Sequence, residues 1–129
     1  MENYDVLPGT RKHNEMLKLT KALPSEFTAY YAVIFTSQRS EVSADYDATA
    51  ERMLELAAAR DGYLGMESVR GADGLGITVS YWRDLESIKT WRAQMEHTAA
   101  RERGRAEWYR GYHLRIAKVE REYSWGENV

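Results

Sequence analysis

The chain has 129 residues, 43% of them hydrophobic, which suits one globular domain with a packed core and leaves too little for a second. Lys and Arg number 18 against 20 Asp and Glu, a formal charge of −2, so no global field draws the protein to nucleic acid or to an anionic membrane. Cysteine is absent, which excludes disulfides, thiolate chemistry and Cys-ligated metal or iron–sulfur centres, and no apolar run approaches the roughly 20 residues of a membrane span.

Residues 1–27 are polar, mixed in charge and broken by "LPG" and "LPS", and read as an extension that is loosely ordered or laid over the surface. "MENYDVLPGTRKHNEMLK" lacks the apolar core of a signal peptide, so a cytoplasmic protein is expected. The folded domain is expected over 28–123, with 124–129 as a short tail. "TAYYAVIFTSQ" is apolar on both alternating sets, Tyr31/Val33/Phe35 and Tyr30/Ala32/Ile34, which describes a strand covered on both faces. A helix follows in "SADYDATAERMLELAAARDG", capped by Ser43 or Asp45, with Ala50, Met53, Leu56 and Ala57 as its core stripe and Gly62 as its stop.

"YLGMESVRGADGLGITVSYW" reads as two strands joined at "RGADG". In the second of them Leu75, Ile77, Val79 and Tyr81 point one way and Thr78, Ser80 and Trp82 the other. A second helix starts near Asp84 and runs through "LESIKTWRAQMEHTAARERGRAEW". A last strand is expected at about Tyr112–Tyr123. The order is βαββαβ, an α+β ferredoxin-like fold: a four-stranded antiparallel sheet with two helices on one face. The first strand's second apolar set then needs a cover of its own. A second copy of the sheet is the simplest one, so a homodimer is expected.

The second helix carries two stripes. Ile88, Trp91, Met95 and Ala99 recur as a core stripe, and Ala93, His97, Ala100, Gly104 and Trp108 form another about half a turn away. The helix either kinks near Met95 and Glu96 or is covered on two sides. His97 among small residues reads either as a satisfied structural imidazole or as a proton acceptor facing a cavity, since imidazole titrates nearest neutrality. His113 reads as exposed or at an interface, and His13 lies in the extension. No HxxxH, HExxH or two-His-one-carboxylate pattern is present, so no metal site is expected. Between His97 and Arg121 seven basic residues face three acidic ones, a net of +4. These arginines are spread over several faces with acids between them, which favours a solvated face or an anionic ligand over a nucleic-acid surface. Trp82, Trp91, Trp108, Tyr31, Tyr81 and Tyr112 either pack as core or line one aromatic pocket.

The run from "YYAVIFTSQ" through "GLGITVSYW" to "EHTAARERGRAEWY" resembles the antibiotic biosynthesis monooxygenase family of dimeric α+β barrel proteins, over roughly residues 28–123. The resemblance implies cofactor-independent oxygenation of a small aromatic phenol or quinol by O2. It further implies a base, His97, in a dry cavity walled by Trp82 and Trp91, with Tyr31, Tyr81 or Arg101 as donor to the anion and Trp108 as a further lining residue. Trp91 and His97 fall on positions similar to the family's pocket-lining Trp and His; the other residues follow from strand and helix phase. Haem-degrading relatives carry an Asn on the first strand and a His about ten residues after the Trp. Here no Asn is present in "TAYYAVIFTSQ" and Arg101 stands ten after Trp91, so haem binding is the lesser reading. A non-catalytic, dimeric, ligand-binding or stress-associated module is the remaining alternative.

Overall fold

A computed structural model describes residues 4–5 and 29–127 of the chain. The elements are β1 (Tyr4–Asp5), β2 (Tyr30–Arg39), α1 (Tyr46–Ala58), β3 (Tyr63–Gly71), β4 (Leu75–Trp82), α2 (Leu85–Ala93), α3 (Met95–Arg103), a π-helical turn (Gly104–Trp108) and β5 (Tyr109–Val119). The strands pair antiparallel in the order β1-β3-β4-β2-β5. Without the two-residue β1, this is the split βαββαβ sheet of a ferredoxin-like fold. Of the polar stretch 1–27 only Tyr4 and Asp5 are described, paired with Gly71 and Arg70. The rest of that stretch, with His13, lies outside the described residues.

Register assigns every side chain to a face. Val33 stands opposite Ser80 and Ile116, and Phe35 opposite Thr78 and Leu114. Met66 and Ser68 of β3 pair with Ser80 and Thr78 and so join the same face. The other face carries Ala32, Ile34, Ile77, Val79 and Tyr81, as period-2 alternation requires. At one end of the helix-facing side, buried Ala57, Trp82 and Ile88 form the core, with Tyr31, Val33, Tyr63 and Trp91 packed around them. Trp82 is fully buried, and its indole N–H donates to Ser80 Oγ at 2.9 Å, so the large ring is buried without an orphaned donor.

The helix after β4 departs from the single helix expected. Asp84 caps α2 by accepting from the Ser87 N–H, and the Ser87 hydroxyl, which donates to the same oxygen, does most to bring its carboxyl pKa down to about 2, the N–H adding to it. The helix then breaks at Gln94, whose φ −65° and ψ 133° are extended rather than helical. No Pro or Gly causes the break. The Gln94 side chain instead caps the next helix by accepting from the His97 N–H at 2.7 Å. This reorientation explains the two stripes: Ile88 is buried before the break, Gly104 and Trp108 after it, while Ala93 and Ala99 are exposed. The last strand also lies earlier than expected, at Tyr109–Val119 in place of Tyr112–Tyr123. Val119 already pairs with Tyr30, where β2 begins, so residues 120–123 find no backbone partner on that strand.

Candidate functional site

Beyond the Trp82 core the helices stand away from the sheet and enclose a cavity of about 520 Å³. Its floor is Val33, Phe35, Thr78 and Ser80, and its roof includes Ala50 and Met53 of α1 and Ala100 of α3. Five of the seven residues expected at the site border it: Trp82, Trp91, His97, Arg101 and Trp108. Tyr31 is placed with the core cluster instead. Tyr81 is on the opposite face of the sheet. It stands opposite Ala32, packs edge-on to Tyr30 at 5.8 Å and donates from its hydroxyl to Glu67 at 2.8 Å. A donor for the cavity therefore does not come from Tyr81: strand alternation that turns Trp82 inward turns its neighbour out.

The aromatic side chains form a column. The Tyr63 ring meets Trp82 edge-on at 5.5 Å, Trp82 stacks on Trp91 at 6.0 Å, and Trp91 stacks on the His97 imidazole at 4.3 Å and 13°. The Tyr63 hydroxyl is buried without a partner among the described residues, and burial pushes its pKa up to about 12.

His97 is held from two sides. Its Nδ1 lies 3.0 Å from the Trp91 carbonyl, which at the end of α2 also accepts from the Gln94 N–H at 3.1 Å. A carbonyl only accepts, so Nδ1 carries the hydrogen and Nε2 keeps the lone pair. Among the described residues none hydrogen-bonds Nε2. Burial lowers the His97 pKa below its ordinary 6.5; the Trp91 carbonyl works the other way, and the Arg101 and Arg92 charges add to the lowering. The ring is thus a neutral imidazole with a fixed tautomer, which is the form a general base requires.

The break supplies a second set of contacts. The Arg92 carbonyl accepts from Thr98 Oγ1 and from Arg101 Nη1, both at 3.2 Å. Arg101 Nε is buried and has no partner among the described residues. Beyond Arg103, the π turn brings Gly104 so close to Tyr109 that a Cβ would stand 3.0 Å from its ring. The Trp108 indole N–H donates to the Ala44 carbonyl at 3.0 Å.

Three further arginines also border the cavity: Arg70, Arg92 and Arg105. A signal for Arg70 was present, because it stands in phase with Met66 and Ser68 on β3 and hence on the helix-facing side. His113 is exposed. Among the described residues no group of three or more His, Cys, Asp or Glu could hold a metal ion, and no helix is long and apolar enough to cross a membrane.

The family model for antibiotic biosynthesis monooxygenase matches residues 29–103, more than half of the chain and all of the elements from β2 to α3. The chain belongs to the antibiotic biosynthesis monooxygenase family. It is 56% identical over 100 residues to the uncharacterized protein YqjZ of Bacillus subtilis (strain 168), covering 78% of this chain and 88% of that one. It is 30% identical over 100 residues to the jasmonate monooxygenase ABM of Pyricularia oryzae, covering 78% of this chain and 40% of that longer protein. Its fold is similar to that of SnoaB, a cofactor-independent oxygenase from Streptomyces nogalater, with a TM-score of 0.63 at 13% identity over 72% of this chain and 95% of the other. In this member of the antibiotic biosynthesis monooxygenase family, the cavity lies on the helix side of the sheet within one chain.

Proposed function

We propose that the protein is a cofactor-independent monooxygenase acting on a small aromatic, phenol- or quinol-like substrate, with His97 as its base. The observation that carries this reading is the tautomer of His97: Nδ1–H is committed to the Trp91 carbonyl, and a neutral Nε2 is left beside an aromatic cavity. Family membership supports it, as does the description of SnoaB as a cofactor-independent oxygenase. The relative named as a jasmonate monooxygenase supports a monooxygenase activity.

In this mechanism Nε2 removes the phenolic proton and the Arg101 guanidinium stabilises the anion that forms. The electron-rich anion transfers one electron to O2, and the radical pair joins in a new C–O bond. The resulting peroxide takes a proton from the His97 imidazolium; loss of the C–H proton at the oxygenated carbon then forms the new carbonyl and breaks the O–O bond, and the hydroxide that leaves takes up that proton as water. Phenol plus O2 gives quinone plus water, and the substrate supplies every electron. Trp82 and Trp91 keep the ring in place and water away.

The working unit in this reading is a homodimer joined through the sheet faces that the helices leave uncovered. Ile77 on that face is 44% exposed, a large apolar side chain that a second sheet would cover.

Oxygen consumption by the purified protein with a panel of quinols and polyphenols tests the reading, with a haem titration alongside. Uptake without a Soret change is expected. A stoichiometric Soret shift would assign haem binding instead, and neither signal would leave a non-catalytic binding module.

A further inference from the structure

We infer that the ligand of this cavity carries a permanent anionic group, a carboxylate on an apolar ring body, and that Arg70 receives it. The inference rests on the cavity being the substrate site, and it adds the substrate's charge and orientation.

The starting observation is a charge imbalance. Arg70, Arg92, Arg101 and Arg105 border the cavity, and no Asp or Glu among the described residues does. Three arginines outside the cavity, Arg52, Arg83 and Arg103, make ion pairs, to Glu96, Asp61 and Asp45 among others. None of the four cavity arginines has a carboxylate of residues 29–127 within ion-pair distance. A concave, apolar site with several uncompensated cations focuses its field on an anion.

Arg70 is the most buried of the four, at 7% exposure. Its guanidinium reaches from β3 across β4 to β2, and only a glycine at 76 permits the path, because a Cβ there would stand 2.7 Å from its central carbon. Nη1 donates to the Ser37 and Gly74 carbonyls, and Nη2 donates to Ser37 Oγ at 2.8 Å. All three acceptors are neutral. Five N–H donors less three leaves two, on Nε and Nη2, and Nε is buried without a partner. Two donors on adjacent nitrogens of one planar fork match the two oxygens of a carboxylate. A purely structural clip would leave the buried Nε–H without an acceptor, which is costly unless one arrives with the ligand.

Placement fits an elongated ligand. Arg70 pairs with Gly76, and Trp82 stands six residues further along β4, about 20 Å of strand. The anion is thus held at one end of the cavity and the aromatic column with His97 lies toward the other. Tyr112, whose hydroxyl takes the Arg105 Nε donor at 2.8 Å, borders the cavity beside β2 at the Arg70 end.

Calorimetric titration of the intact protein with 2-naphthoate, its methyl ester and inorganic phosphate tests the inference without any turnover. The acid is expected to bind at least about tenfold tighter than the ester, the least that a charge-assisted bidentate contact contributes, and phosphate far more weakly than either. Arg70→Lys keeps the charge and loses the fork, so it should weaken the acid by about fivefold or more and leave the ester unchanged. Equal affinity for acid and ester in the unaltered protein would overturn the inference, and so would phosphate binding as tightly as naphthoate. An acid preference that survives in folded Arg70→Lys and Arg70→Gln but vanishes in Arg101→Gln would overturn the assignment to Arg70. A protein that prefers the acid yet consumes no O2 with any quinol would uphold the inference while overturning the monooxygenase reading.

Discussion

At the residue scale the chemistry converges on His97. If its Nε2 is the base, His97→Ala should lower kcat/KM by about 10² or more, the usual contribution of a positioned base, in a protein that still folds. A parallel loss of stability and activity would make the ring a packing element only. Burial favours the neutral ring, so the acid limb of the kcat/KM profile should fall below pH 6.5, with activity flat through neutrality. A limb at or above 6.5 would contradict that. The same depression makes stability pH-dependent: the unfolded chain takes up a proton first as pH falls through 6.5, so His97's contribution is full above that value and lost as pH falls toward the folded pKa. His97 was legible in the sequence as a histidine among small residues, and both it and Trp91 as positions similar to the family's pocket-lining His and Trp. Arg70 was legible only through its phase with Met66 and Ser68, a weak signal because an arginine on a strand ordinarily reads as solvent-facing. The alternation that sets Tyr81 against Trp82 was equally legible, and it conflicts with placing both in one cavity.

At the element scale the break at Gln94 is what makes the site. A continuous helix would use the Trp91 and Arg92 carbonyls in its own ladder; the break leaves the Trp91 carbonyl to the Gln94 N–H and His97, and the Arg92 carbonyl to Thr98 and Arg101. Gln94→Ala removes the cap of α3 and should cost about 1 kcal/mol, read by denaturant unfolding. Its effect on kcat should exceed that on stability, because His97 loses the fixed turn from which its ring reaches the carbonyl. Unaltered kcat in that variant would separate the cap from the chemistry. The strands and both helical regions are visible in the pattern, since alternation and apolar stripes record burial directly. The break was legible only as an inconsistency between two stripes: no Pro or Gly marks its position, and its cause is a set of side-chain contacts. The π turn left no local mark, and neither did the early end of β5, which depends on where β2 begins.

At the scale of the whole molecule the question is what covers the second face of the sheet. That face holds Ile34, Ile77 and Val79 in register, with Ala117 and Val119 of β5 completing it. If two copies join there, sedimentation at micromolar concentration should show about twice the 14.9 kDa of one chain. Val119→Asp would set an unpaired charge in the contact and should dissociate or unfold the protein. A well-folded single chain under those conditions would sink the proposal. The need for a cover was legible in β2, whose two alternating sets are both apolar; the helices account for one of them.

The close approach at residue 76 has a consequence for how this protein varies among its relatives. A side chain at 76 and the Arg70 guanidinium in its present path compete for the same space, so a larger residue at 76 would push the guanidinium aside. The two positions are then expected to vary together, and a relative with a larger residue at 76 and no arginine at 70 would be expected to favour neutral molecules.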